Sequence, residues 1–183
     1  VINTACKQAK KWKDQGFSKT VSVNLSSIQL KQKDLLGTIK NALEENDLTP
    51  DFLELQITEG SITENIRTVI DLLNELRNMG VKIALDNFGN GCSSISHLKR
   101  VPIEKIKIDP AFIHALGTQS SDADVAGAII AMAKNLNLKV SAGGVETTDQ
   151  ASMLKEIGCD EYQGYVISPT LSAKEISHLQ LPN

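Results

Sequence analysis

At 183 residues the chain is long enough for one substantial domain with a real core and too short for two of ordinary size. Hydrophobic residues make up 41%, charged residues 22% and aromatics 4%, the composition of a soluble globular protein. A formal net charge of −3 gives no reason to expect nucleic-acid or anionic-membrane binding through bulk electrostatics.

Cys6, Cys92 and Cys159 are too few and too scattered for a disulfide framework or a metal-spaced pair, so a reducing, cytoplasmic compartment is the expectation. The longest near-apolar stretch, Val125–Ala133, is far too short to span a bilayer, and no membrane contact is expected of this domain. No basic segment followed by an apolar stretch marks a secretory leader. The chain opens on Val1, and Val1–Trp12 already reads as helix, which implies a piece of a longer protein whose other parts leave a membrane anchor open.

In chain order, short β-branched or aliphatic runs alternate with segments of helical period. The predicted strands are Val21–Leu25, Phe52–Ile57, Val81–Asp86, Ile106–Ile108, Lys139–Ala142 and a weak one near Tyr162–Val166. Helices are predicted near Leu30–Asn46, Ser61–Met79, Asp122–Asn137 and Asp149–Ile157, with shorter turns around Ser93–Lys99 and Ala173–Leu179. Ile66, Val69, Ile70, Leu72, Leu73 and Leu76 recur as one face of a helix covering a core. Asp122 and Asp149 sit where N-caps are expected, and Gly80 and Gly158 where helices end. Such alternation means βαβ units and a parallel sheet, in one domain over 1–183. Six strands are too few to close an eight-stranded barrel, so a barrel would lack two.

Polar residues collect at the C-terminal ends of the strands, where barrels and doubly wound sheets build their sites. Asn24, Glu59, Asp86, Asp109 and Glu146 form a set of oxygen donors suited to a hard divalent cation. Lys107 shares a strand face with Asp109 and can hold a phosphate or position a water. Any one acidic residue is more simply a helix cap, a solvated loop residue or a surface ion pair; five at one end of a sheet are harder to explain that way. The loop Asp86-Asn87-Phe88-Gly89-Asn90-Gly91 lacks the third glycine and helical spacing of a dinucleotide fingerprint. His97, His114 and His178 do not cluster with a serine or cysteine nucleophile.

Asn24-Leu25-Ser26, Leu53 to Glu59 (Leu-Glu-Leu-Gln-Ile-Thr-Glu), Ala84 to Gly91, Leu98 to Pro102, Lys107-Ile108-Asp109, Gly144 to Thr147 and Gly158 to Tyr165 together resemble the EAL family of cyclic di-GMP phosphodiesterases, in order and spacing over essentially the whole chain. The resemblance implies a modified TIM-like (β/α) barrel with one antiparallel strand. It also implies hydrolysis of cyclic di-GMP to the linear dinucleotide with Mg²⁺ or Mn²⁺, which activate a water for in-line attack. The first two strands, with the signature glutamate, would then lie upstream of Val1, leaving the C-terminal three-quarters of the domain here.

By the same resemblance Asn24, Asp86, Asp109 and Glu146 match metal positions. Asn24, Lys107, Glu146 and Gln163 match positions toward the ligand, with Lys107 also at the catalytic position, and Glu59 steadies the loop after Asp86. Three positions depart. Gln56 stands where the family has a metal-ligand glutamate, Asn87 where it has a second aspartate, and Gly143 where it has the glutamate proposed as general base. Amides keep an oxygen but lose the charge, and glycine keeps nothing. Ser168-Pro169-Thr170 replaces an arginine–proline pair, and Cys92 a tyrosine.

The expectation is therefore a catalytically degenerate domain of a bacterial signalling protein, a cyclic di-GMP receptor or a protein-interaction module, with no metal bound. The alternative is a weak metal-dependent phosphodiesterase specific for cyclic di-GMP. Expected partners are cyclic di-GMP and a protein partner or second copy through the 87–99 region, with no nucleic-acid polymer.

Overall fold

The computed structural model describes residues 1–63, 66–90, 98–116 and 121–177. Among the described residues, six strands follow one another across a single parallel sheet: β1 (Val21–Leu25), β2 (Leu53–Thr58), β3 (Lys82–Phe88), β4 (Lys105–Ile108), β5 (Lys139–Gly143) and β6 (Glu161–Gln163). Each neighbour in sequence is the neighbour in space, and the strands form a TIM-like half-barrel. The antiparallel strand implied by the resemblance is not among them.

Helices among the described residues are α1 (Ile2–Asp14), α2 (Ser27–Leu30), α3 (Leu35–Glu45), α4 (Glu59–Thr63), α5 (Ile66–Asn78), α6 (Pro110–His114), α7 (Ser121–Asn135), α8 (Thr148–Glu156) and α9 (Ala173–Ile176). The single helix expected over Leu30–Asn46 is two, because Lys31–Asp34 turns the chain between α2 and α3. The one expected over Ser61–Met79 is likewise α4 followed by α5. Asp149 is not the cap of α8: Thr147 accepts from the Gln150 amide, while the Gln150 side chain accepts from the Thr147 amide, a reciprocal capping box. Asp122 lies inside the first turn of α7 rather than before it. Most of the turn expected at Ser93–Lys99 falls outside the described residues.

Helix ends follow the expectation. After α5, Gly80 takes φ +96° and the Val81 amide reaches back to the Leu76 carbonyl at 3.1 Å. After α8, Gly158 takes φ +83° and Cys159 bonds to Leu154 at 2.8 Å. These are left-handed closures that satisfy orphan carbonyls and turn the chain into the next strand.

On one sheet face lie Leu53, Leu55, Ile57, Ile83, Leu85, Ile106, Ile108, Val140 and Ala142, all buried. The helices cover them with Ile39, Leu43, Leu73, Leu76, Ile130 and Ala133 in one continuous core. Burying each large aliphatic side chain favours the fold by about 1.5–3 kcal/mol before entropy is counted. The apolar helix Val125–Ala133 belongs to this core through Ala126, Ile129, Ile130 and Ala133. Trp12 Nε1 donates to Ser177 Oγ at 2.9 Å, tying α1 to the turn after α9.

The opposite face carries Ser22 and Asn24 of β1, Glu54 and Gln56 of β2, Lys105 and Lys107 of β4, Ser141 and Gly143 of β5, and Glu161 and Gln163 of β6, by the two-residue period of a strand. The half-barrel interior is polar, and it is this face that positions the site.

Candidate functional site

Register brings the first site residues together. Asn24 of β1 pairs with Gln56 of β2, which pairs with Ala84 of β3, two residues before Asp86. On the other flank, Gly143 of β5 pairs with Gln163 of β6. Lys107 of β4 reaches across, its Nζ 3.7 Å from Asp86 Oδ1, with side chains 20% and 13% exposed.

Asp86 Oδ1 also accepts from the Asn87 amide at 3.0 Å. This bond folds the chain into the loop, where Asn87 takes φ +54° and Gly89 φ +109°. Asparagine and aspartate are the non-glycine residues that tolerate this conformation, so position 87 has a backbone role besides any ligand role. Gly89 is obligatory: a Cβ there would stand 2.6 Å from Phe112 Cε2 and 3.2 Å from Ile129 Cδ1.

The remaining expected residues are placed differently from one another. Asp109 shares the strand direction of Lys107, but its carboxylate caps α6 by accepting from the Ala111 amide at 2.8 Å, the plain structural role. Glu146 is exposed beyond β5, with His114 Nε2 3.8 Å from its Oε1. Glu59 is buried at the start of α4, directly after β2. Gln163 is exposed at the end of β6, and its carbonyl accepts from the Val145 amide at 3.1 Å. The next residue, Gly164, lies against the Val145 backbone, where a Cβ would collide.

Gly143 is buried, and a Cβ built on it would lie 3.3 Å from Lys107 Cε and 3.8 Å from Pro110 Cγ. A side chain at 143 would thus pack against the Lys107 stem and the Pro110 ring.

A second group was not among the expected site residues. Glu54, 3% exposed, accepts from Ser22 Oγ at 2.8 Å and from Gln56 Nε2 at 3.2 Å. Lys105 Nζ lies 2.8 Å from Glu54 Oε2 and 2.6 Å from Glu161 Oε2. Burial alone would push the Glu54 carboxyl up; hydrogen bonds from Lys105, Ser22 and Gln56 outweigh it and hold the group below its ordinary value. Burial lowers Lys105, and its bonds to Glu161 and Glu54 more than reverse that. The sequence signal was present: Glu54 precedes Gln56, and Lys105 precedes Lys107, by the two residues that keep a strand face.

The family model described as EAL domain matches residues 1–170. The chain is 41% identical over 168 residues to the signaling protein YkoW of Bacillus subtilis (strain 168), covering 92% of this chain and 21% of YkoW. It is 37% identical over 177 residues to the bifunctional diguanylate cyclase/cyclic di-GMP phosphodiesterase MucR of Pseudomonas aeruginosa, covering 96% of this chain and 26% of MucR. The solved complex of the MucR phosphodiesterase with c-di-GMP superposes with a TM-score of 0.92, covering 96% of this chain and 71% of that one. BlrP1 of Klebsiella pneumoniae, solved with manganese and cyclic di-GMP, gives a TM-score of 0.81 at 25% identity, covering 91% of this chain and 42% of that one. The chain thus spans between 21% and 26% of the length of these curated relatives. No helix among the described residues is long and apolar enough to cross a membrane. With the family model matched over most of its length, the chain belongs to the EAL domain family.

Proposed function

We propose that this domain binds cyclic di-GMP as a receptor within a signalling protein and does not turn it over. The observation that carries the reading is the bare Gly143 backbone beside Lys107. The family's general-base glutamate has no counterpart there, the Lys107 stem lies beside the bare backbone, and the Lys107 ammonium faces Asp86. A site arranged this way has a cation for phosphate oxygens and no proton acceptor at that position.

Relatives such as BlrP1 hold divalent metal together with the dinucleotide. Such ions need clustered anionic oxygens. Here Gln56 and Asn87 lack the family's charges, Gly143 offers no donor, one Asp109 oxygen caps a helix, and Asp86 faces the Lys107 ammonium. Among the described residues no three His, Cys, Asp or Glu side chains form a metal-holding group. This donor set does not suit a pair of divalent cations. Asn24, Lys107 and Gln163 are then the ligand-facing residues, with Glu146 at the rim.

Calorimetry with cyclic di-GMP on the full-length protein, with and without Mg²⁺, tests this. The expected result is saturable binding unchanged by Mg²⁺; no heat at high ligand concentration leaves only a protein-interaction role, through the 87–99 region or elsewhere. A second reading, weak metal-dependent hydrolysis, is favoured by the register pairing of Asn24 with Gln56 and by the phosphodiesterase named in MucR. Linear dinucleotide formed in the presence of Mn²⁺ would establish it instead.

A further inference from the structure

We propose that Glu54 is a positioning residue, held by Lys105, that turns the Gln56 amide nitrogen down the strand and leaves its carbonyl oxygen as the group offered to the ligand. The inference rests on the binding reading above for its consequence, though not for its geometry.

A carboxylate presents acceptors only, so the part of the Gln56 amide that meets Glu54 Oε1 at 3.2 Å has to be the NH₂. Both oxygens of Glu54 are engaged. Oε1 takes Ser22 and Gln56, and Oε2 takes Lys105 at 2.8 Å, with the Glu54 side chain 4% exposed. Lys105 cannot swing away freely, because Glu161 holds the same ammonium at 2.6 Å from the far side.

The three charges come from β2, β4 and β6. Alternate strands contribute a layer of side chains in a TIM-type interior, and here that layer is ionic. The layer of Gln56 and Lys107 lies one strand repeat above it. An isolated glutamine shows either end of its amide; above this layer it shows its oxygen. Gln56 is thereby an acceptor that takes a hydroxyl or N–H of the ligand, and phosphate oxygens are left to Lys107.

Side-chain amide exchange tests the geometry. In protein labelled with ¹⁵N-glutamine, the Gln56 NH₂ pair is identified by its loss in Gln56→Glu. In the unmutated protein it is expected to exchange with water at least tenfold more slowly than the exposed Gln15 and Gln32. The doubly apolar variant E54L/K105M removes the charges together, which keeps the fold where removing one alone would strand the other. There the Gln56 pair should reach the exposed rate, and cyclic di-GMP affinity should fall about tenfold, as when other outer groups that orient a binding side chain are removed. Exchange of Gln56 as fast as Gln15 in the unmutated protein overturns the proposal, as does undiminished affinity in the double variant. If the unmutated protein takes up no cyclic di-GMP, the proposed function fails, and amide exchange alone decides the orientation of Gln56.

Discussion

Lys107 Cε lies 3.3 Å from where a Cβ on Gly143 would stand, so the site's remaining cation is the immediate neighbour of the position that has lost its carboxylate. A side chain at 143 requires the lysine stem to give by a few tenths of an ångström, which a flexible chain can do. Gly143→Glu alone should therefore fold, with a loss under about 1.5 kcal/mol. It should not hydrolyse cyclic di-GMP, because Gln56 and Asn87 still lack their charges. The triple variant Q56E/N87D/G143E should form linear dinucleotide with Mn²⁺ at least a hundredfold faster than the unmutated chain, read by chromatography of the products. Turnover in the unmutated chain equal to the triple variant would refute the receptor reading.

The Glu54–Lys105 pair makes a separate prediction about stability. Lys105→Met leaves Glu54 buried and uncompensated, which costs about 3–5 kcal/mol. At about 2–4 °C per kcal/mol for a domain of this size, Tm should drop by roughly 10 °C. E54L/K105M should recover most of that drop, since an apolar pair tolerates the same surroundings. A thermal melt followed by circular dichroism reads both, and equal drops for the single and double variants would count against an ionic layer.

The same pair sets a pH window. Glu54 is held below its ordinary 4.5, so its contribution is fully present above that value and is lost as pH falls through the lowered one. Lys105 is raised above its ordinary 10.5, so its contribution is present below 10.5 and lost as pH rises beyond. Denaturant unfolding across pH should show a plateau between these limits with an acid flank. That acid flank should be shallower in E54L/K105M than in the unmutated chain.

Gly89 predicts a backbone effect at the same loop. Its φ of +109° is strained for any L side chain, and an added methyl meets Phe112. Gly89→Ala should destabilise by about 3 kcal/mol, combining backbone strain with overpacking. Asn87→Gly, at φ +54°, should cost under about 1 kcal/mol, because glycine suits that conformation. Urea midpoints at constant slope separate the two.

Local chemistry made much of this molecule readable before its fold. The period of Ile66 to Leu76, the alternation in each strand, and glycines at 80 and 158 depend only on near neighbours, so the strands and helix ends followed from residues a few positions apart. The position of Asn24, Asp86 and Lys107 at strand ends was legible for the same reason. Asp149 was misassigned because threonine two positions earlier made the better reciprocal cap with Gln150, a choice between two local options that composition alone does not rank. Asp109 was legible at the end of a strand, but which of its readings held was decided only once α6 was in place to be capped.

What tertiary structure alone decided is which side chains meet. Glu54, Lys105 and Glu161 lie far apart in the chain and join only because parallel register puts β2, β4 and β6 at one level of the interior. The space at Gly143 is likewise invisible in sequence. Only the packing shows that the Lys107 stem and the Pro110 ring line it.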